Sequence, residues 1–151
     1  MTPEEKARQK IDQWFSNAGW KVVDRDNYEP NCTAVAIREG LLKGNLEADY
    51  FLFINGKAVG VLEAKREEID PFSDKVCEQA VVYARNVPKI YQTYQKPLPF
   101  IFTSNGKDLY FCDFRKQDSC FKQIMTIPTP HELVKLLGIN DYFAGLPTLR
   151  R

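Results

Sequence analysis

The sequence lacks the cysteine and histidine spacings of a structural zinc site. Cys32, Cys77, Cys112 and Cys120 form no Cys-x-x-Cys pair, and the single histidine, His131, completes no familiar set of ligands with them. We therefore expect no structural zinc. Cysteines without a disulfide framework also favour a reducing, cytoplasmic location.

Long apolar runs are also missing. The N-terminus is charged and no apolar segment follows it, which argues against a secretory signal. No stretch approaches the roughly 20 apolar residues that a membrane-spanning helix requires. We expect no association with a membrane.

Neither sign of charge is in excess. The 21 basic and 20 acidic residues give a net charge of +1, so no global positive field indicates a nucleic-acid-binding protein. A domain that cuts DNA while other modules hold it needs only a local basic rim, so near-neutrality leaves that function open. With 151 residues, 44% of them hydrophobic, the chain suits one domain with a substantial core.

The spacing of apolar residues predicts helices around a mixed sheet. A first helix begins at Thr2-Pro3 and ends at Ala18-Gly19, and a last helix begins at Thr129-Pro130 and ends at Gly138. A further helix is expected over 72–91. The predicted strands are 20–23, 33–38, 50–54, 58–62, 97–103 and 109–114, with polar connections over 24–31 and 115–122. This order predicts an α/β (α+β) fold with a mixed central β-sheet flanked by helices.

Residues 50–62 carry the clearest pattern. Two nearly continuous apolar runs flank Asn55-Gly56, a dipeptide that supplies the positive φ angles of a two-residue hairpin turn. Continuous apolar runs are typical of strands covered on both faces. The hairpin is therefore expected at the centre of the sheet, and Asn105-Gly106 predicts a second hairpin turn later in the chain.

Three charged residues lie at the ends of the central hairpin. Asp49 comes six residues before the turn and Glu63 seven after it, so their side chains can be neighbours. Lys65 is two residues beyond Glu63 and so shares its face of the strand. The pattern gathers two carboxylates and one ammonium at one place.

This combination predicts hydrolysis of a phosphodiester. Two close carboxylates favour a hard divalent ion, and magnesium takes oxygen ligands, including the carbonyl of Ala64, while keeping positions for water and phosphate. Lys65 beside the ion can lower the pKa of a bound water or stabilise charge on the phosphate. An acid followed by a Glu-x-Lys pair also occurs by chance, and the three side chains would then simply be solvated.

Several segments resemble one known family. Residues 47–53 (EADYFLF), 60–65 (GVLEAK) and 79–83 (QAVVY) are similar to the N-terminal nuclease domain of the R (HsdR) subunit of type I restriction enzymes. That domain belongs to the restriction-endonuclease-like superfamily, marked by an acid and a later Asp/Glu-x-Lys. The opening helix and residues 102–106 (FTSNG) also resemble the family, although Ser104 is inserted in its Thr-Asn-Gly pattern. The resemblance covers most of the chain and implies a restriction-endonuclease-like fold.

The resemblance implies roles for five residues. Asp49 and Glu63 would bind the metal and Lys65 would serve catalysis, while Gln79 and Tyr83 match the family's Q-x-x-x-Y motif. Four residues apart, the last two share a helix face and can hydrogen-bond a DNA phosphate or orient Lys65. Tyr83 equally suits the apolar core of its helix, and Gln79 a solvated position.

The family's opening acid is not fixed by the sequence. Glu4 and Glu5, each followed by Arg8, compete for this position with Glu39. Acids in the first turn of a helix also stabilise its positive dipole end, which gives Glu4 and Glu5 an alternative role.

The resemblance also implies boundaries, cofactors and partners. We expect an endonuclease domain over 1–145 and, over 146–151, the start of a linker to an absent helicase-like motor, since the chain contains no phosphate-binding loop. Mg²⁺ is the expected cofactor, Mn²⁺ can substitute for it, and ATP would act only through the motor. The expected partners are double-stranded DNA and the modification and specificity subunits.

Two other functions are compatible with the sequence. One is a nuclease-fold module that holds DNA or docks without cutting it, which the near-zero net charge favours. The other is a stand-alone repair nuclease of the same superfamily. Undiminished DNA cutting by a Lys65→Ala variant would favour the non-cleaving module for this domain.

Overall fold

A computed structural model describes residues 1–28, 33–41 and 47–138. Within these residues, eight strands form one mixed sheet and three α-helices pack against it. The elements are α1 (Pro3–Asn17), β1 (Lys21–Asp24), β2 (Ala34–Leu41), β3 (Glu47–Ile54), β4 (Lys57–Ala64), α2 (Asp74–Arg85), β5 (Gln92–Thr93), β6 (Phe100–Ser104), β7 (Leu109–Asp113), β8 (Lys122–Ile124) and α3 (Pro130–Leu137).

The central hairpin organises the sheet. The strand order is β1-β2-β3-β4-β6-β7-β8, and the short β5 pairs with β4 outside this path. β2, β3 and β4 are antiparallel neighbours, whereas β4 and β6 run parallel. The mixed sheet and the central position of β3 and β4 confirm the expectation from their apolar sequences.

Local sequence signals set the ends of the first and last helices. Thr2 accepts a hydrogen bond from the backbone N–H of Glu5, whose carboxylate accepts one from the N–H of Thr2. Thr129 and Glu132 form the same capping box on α3, and Gly138 ends that helix with a left-handed φ of 72°. Each box satisfies amide donors that the first helical turn leaves unpaired.

The β3–β4 turn is the predicted two-residue turn, with positive φ at Asn55 and Gly56. A bulge then shifts the pairing by one residue: Phe53 lies opposite Ala58, but Leu52 lies opposite Gly60. Because Val59 is an extra residue in β4, every pair between Leu52 and the start of β3 is shifted by one position from the pairing that the turn alone predicts.

Two apolar layers enclose the sheet. Ile11 and Phe15 of α1 pack on one face with Tyr50 and Leu62, and the start of α3 joins them. On the other face, Ala80 and Tyr83 of α2 pack against the strands with the buried residues Phe51, Val61 and Ile101. The central strands are therefore buried on both faces.

The predicted bounds of several elements are wrong: β2 ends later than the predicted 33–38, β3 begins earlier than the predicted 50–54, and α2 and β6 are shorter than predicted at their starts. The helix expected over 72–91 spans only Asp74–Arg85, because the Ser73 side chain accepts from the N–H of Val76 at its start and Pro88 disfavours helical backbone just beyond its end. The strand expected over 97–103 begins only at Phe100 and follows a cis peptide bond at Lys96-Pro97.

The short strands β5 and β8 were not predicted, and β8 begins at the end of the polar stretch expected over 115–122. The second hairpin also differs from expectation. Asn105 is not in the left-handed region, and its side chain accepts hydrogen bonds from the N–H groups of Lys107 and Asp108 in a longer loop. Among the described residues, no helix is long and apolar enough to cross a membrane.

Candidate functional site

The bulge brings Asp49 and Glu63 together at the ends of β3 and β4. Tyr50 pairs with Leu62, and the same register continued by one residue sets Asp49 opposite Glu63. Without the extra residue, Asp49 would face Leu62 instead. The two carboxylates lie close enough to interact, since the charge of Asp49 raises the pKa of Glu63.

Glu63 is a buried acid. Its side chain is 4% exposed, its Oε2 lies 2.9 Å from the Nζ of Lys65, and its buried Oε1 has no hydrogen-bond partner. Burial, followed by the charge of Asp49, raises the pKa of Glu63 to about 8, although the hydrogen bond and charge of Lys65 oppose this rise. The metal-free site therefore favours the protonated form of Glu63 more than a solvated position would.

Both carboxylate oxygens of Asp49 have partners. Oδ2 accepts a hydrogen bond of 2.7 Å from the backbone N–H of Ala64, and Oδ1 forms an ion pair with the guanidinium of Arg8. The side chain of Asp49 is 12% exposed. Sequence analysis did not assign Arg8 to the site; the available signal was its position on the opening helix, one turn before the buried Ile11.

Lys65 lies where β4 leaves the sheet. Its backbone N–H donates to the carbonyl of Ser104 at 2.8 Å, and its side chain is 24% exposed, so the ammonium reaches solvent. The loop beyond it is fixed by Asn105, whose amide donates to the carbonyls of Glu67 and Ile69 at 2.9 and 3.0 Å. Sequence analysis named Asn105 as part of a predicted hairpin turn and not as a residue that fixes the loop after Lys65.

Gln79 and Tyr83 face the acids from α2. The Gln79 Nε2 donates to the Tyr83 hydroxyl at 3.1 Å. Burial raises the pKa of Tyr83, and the charges of Glu63 and Asp49 add to this effect, while the hydrogen bond from Gln79 opposes it. Tyr83 also packs in the α2 core. It therefore combines a core position with a hydroxyl close to the carboxylates.

Of the candidates for an opening acid, Glu5 lines a cleft together with Arg8, the residue that pairs with Asp49. Glu5 closes the capping box with Thr2, a contact that lowers its pKa, and Glu4 is exposed. The side chain of Glu39 lies outside the described residues. Among those that are described, no group of three or more acidic, histidine or cysteine side chains is placed to hold a metal.

The residues present still fit one divalent cation. Glu63 Oε1 is a buried acceptor without a donor, which is the kind of oxygen that a hard cation takes. Ala64 directs its N–H toward Asp49, and the N–H and carbonyl of one strand residue point to the same side, so its carbonyl is available there as well. Two carboxylates and a carbonyl make an incomplete shell, as is usual for magnesium, which keeps water and phosphate ligands.

A family model matches the sequence, and a solved structure shares the fold. The family model described as type I restriction enzyme R protein N terminus matches residues 35–119, which is more than half of the chain. A solved fragment described as an HsdR subunit of a type I restriction enzyme from Vibrio vulnificus YJ016 matches 93% of this chain and 27% of its own, with 22% identity and a TM-score of 0.60. The type IIG restriction endonuclease BpuSI matches 73% of this chain and 11% of its own, with 20% identity and a TM-score of 0.49. No curated protein matches.

Proposed function

Because the chain belongs to the family of the type I restriction enzyme R protein N terminus, we propose that it is an endonuclease domain that hydrolyses DNA phosphodiester bonds with a divalent metal ion. The observation that carries this proposal is the buried pair Asp49 and Glu63, with Lys65 on Glu63 and an unpartnered oxygen between the strand ends. Since the chain spans 27% of the solved HsdR fragment, the activity of a longer protein is part of the proposal.

Asp49, Glu63 and the carbonyl of Ala64 would hold the ion. When bound, Mg²⁺ or Mn²⁺ would neutralise the two carboxylates and act as a Lewis acid on the scissile phosphate. Glu63 must give up its proton to become a ligand, and Lys65 favours this because its ammonium stabilises the carboxylate. The burial of Glu63 keeps bulk water from competing for the ligand oxygens.

Lys65 would act on the phosphate. Its ammonium is held 2.9 Å from Glu63 at a position that solvent reaches, so a phosphate beside the two acids would meet a fixed positive charge. Gln79 and Tyr83 would position the phosphate or Lys65, since their linked amide and hydroxyl lie on the side of α2 that faces the acids. These roles require no movement of the sheet.

The wider setting of the domain is also proposed. The substrate would be double-stranded DNA, held with help from modification and specificity subunits, and the location would be the cytoplasm. ATP would act only through a helicase-like motor after residues 146–151, with 1–145 forming the endonuclease domain; positions 139–151 lie outside the described residues.

Metal-binding calorimetry tests the proposal. We expect Mn²⁺ to bind the wild-type chain with one site and Asp49→Asn to abolish binding, because the remaining carboxylate and carbonyl cannot hold the ion. Asp74→Asn, which removes an exposed acid from α2, is the matched control and should bind as wild type does. Equal binding by wild type and Asp49→Asn would refute the proposed site.

One observation favours a second function. Arg8 pairs with Asp49 and Lys65 pairs with Glu63, so each acid has a basic partner without an ion, as a DNA-holding or docking module that does not cleave would require. In a full-length R subunit, undiminished DNA cleavage by Lys65→Ala would support this alternative. Loss of cleavage, with normal assembly, would support the nuclease.

A further inference from the structure

The guanidinium of Arg8 pairs with Oδ1 of Asp49, one of the two acids that would hold the proposed ion. We infer that Arg8 is an exchangeable counter-ion of Asp49: its guanidinium holds the carboxylate when no divalent cation is bound, and the cation displaces it. This inference rests on the metal-dependent function proposed above. It adds a residue on α1 that sets the metal affinity of a site built on β3 and β4.

The hydrogen bonds of Asp49 show which of its oxygens Arg8 and a metal ion would compete for. Its Oδ2 is engaged by the backbone N–H of Ala64, a fixed group of β4 that cannot leave without disturbing the strand. Its Oδ1 is engaged by Arg8, a long side chain with many rotamers. An ion shared by Asp49 and Glu63 therefore gains Oδ1 only by replacing the guanidinium, and two cations on one carboxylate oxygen would repel each other.

Displacement of Arg8 does not require movement of α1. The backbone there is tied to the sheet, because the Tyr50 hydroxyl donates to the carboxylate of Asp12 at 2.6 Å and contacts the Arg8 carbonyl at 3.3 Å. The Arg8 side chain is 36% exposed, so its guanidinium can rotate into water. A cleft of about 340 Å³ lined by Arg8, Asp12 and Asp24 among others lies beside it and gives the guanidinium room to turn away from Asp49.

The protein offers a matched control for this exchange. Arg38 lines the same cleft, is 37% exposed, and pairs with Asp12 and Asp24 rather than with Asp49. Arg38→Gln therefore removes the same charge from the same neighbourhood without freeing the site. A difference between Arg8→Gln and Arg38→Gln isolates the contact with Asp49 from the general loss of positive charge.

Calorimetry with MnCl₂ on the 151-residue chain is the first experiment. We expect Arg8→Gln to bind Mn²⁺ about three- to tenfold more tightly than wild type, the range that a partly exposed competing ion pair gives. Arg8→Lys should fall between the two, since it keeps the charge but not the planar fork. Arg38→Gln should stay within about twofold of wild type.

A second readout follows the arginine itself. In wild-type protein, the NMR signal of the Arg8 Nε–H should shift on addition of Mg²⁺ toward the position of an arginine in water, while that of Arg38 stays in place. The same Arg8 signal in Asp49→Asn should already be shifted without metal and should not respond to Mg²⁺.

The outcomes separate this inference from the proposed function. Metal binding by wild type that is unchanged or weaker in Arg8→Gln overturns the exchange and leaves the nuclease proposal standing. Absence of binding in wild type together with binding in Arg8→Gln supports the exchange strongly. Absence of binding in both proteins overturns the exchange and the metal site together. If Arg8→Gln fails to fold, the wild-type NMR titration decides alone.

Discussion

In the metal-free protein, the free energy of unfolding should fall as the pH rises because of Glu63, and replacement of Glu63 by glutamine should remove this loss. The pKa of Glu63 rises from 4.5 to about 8 on folding, chiefly because of burial and then because of the charge of Asp49. Between these two values the unfolded chain loses the proton and the folded chain keeps it. The stabilising contribution of Glu63 is therefore complete below about pH 4.5 and is lost as the pH rises toward 8.

The size of this effect follows from the shift. At about 1.4 kcal/mol per pKa unit, the change from 4.5 to about 8 sets an upper limit of roughly 5 kcal/mol. Relaxation of the side chain and entry of water relieve part of the cost of a buried charge, so we expect at least about 2 kcal/mol. Glutamine keeps the shape and the acceptor for Lys65 but does not ionise, so Glu63→Gln should lack this loss.

Urea unfolding in chelator at a series of pH values measures the difference. The free energy of unfolding of Glu63→Gln minus that of wild type should increase steadily from about pH 5 to pH 8 and then level off. Glu78→Gln, which removes an exposed acid from α2, is the control for the loss of one carboxylate. A flat difference for Glu63→Gln would show that the acid is not buried beside Asp49, and the reasoning about the site would fail.

Three further changes test the framework around the site. Gly60→Ala should destabilise the protein by about 2 kcal/mol or more, since a Cβ would lie 2.7 Å from the backbone oxygen of Phe100. Thermal unfolding measures this loss, and a stability equal to that of wild type would contradict the close packing of β4 on β6. Asn105→Ala should lower the free energy of unfolding in urea by about 2–3 kcal/mol, because the loop carbonyls after Lys65 lose their donors. Gln123→Ala, at an exposed amide, should lower it by under about 0.5 kcal/mol. Similar losses in both variants would contradict the role of Asn105 in fixing the loop. Thr129→Ala should cost about 1 kcal/mol through loss of the α3 cap, while Thr129→Ser should be nearly neutral; an equal loss in both would exclude capping as the cause.

The site shows where prediction from sequence reached its limit. Asp49 lies six residues before the Asn55-Gly56 turn and Glu63 seven after it, so a regular hairpin would not pair them. They interact because Val59 is an extra residue in β4. A bulge depends on how β4 packs against both of its neighbours, and Gly60 meets Leu52 and Phe100 at that point. The local signal is Gly60 inside the strand, which is typical of a bulge but does not fix which residue is the extra one.

The short strands and the true length of α2 illustrate the same limit. β5 has two residues and β8 has three, too few for a periodic pattern, and each exists because an existing strand offers unpaired backbone groups. The apolar stripe of α2 continued to Val87, which is buried in the sheet layer without being helical. A residue can be buried without being helical, and the spacing of apolar residues indicates which residues are buried rather than where a helix ends.

The sequence by itself determined the elements whose signals are local: the capped ends of α1 and α3, the Asn55-Gly56 turn, the apolar central strands, and the placement of Asp49, Glu63 and Lys65 at strand ends. Only the tertiary structure decided the register that sets the acids side by side, the pKa of Glu63 and the guanidinium of Arg8 on Asp49. The reason is physical. Caps and turns are fixed by atoms a few residues apart, whereas desolvation and ion pairing depend on groups that only the packed sheet brings within reach.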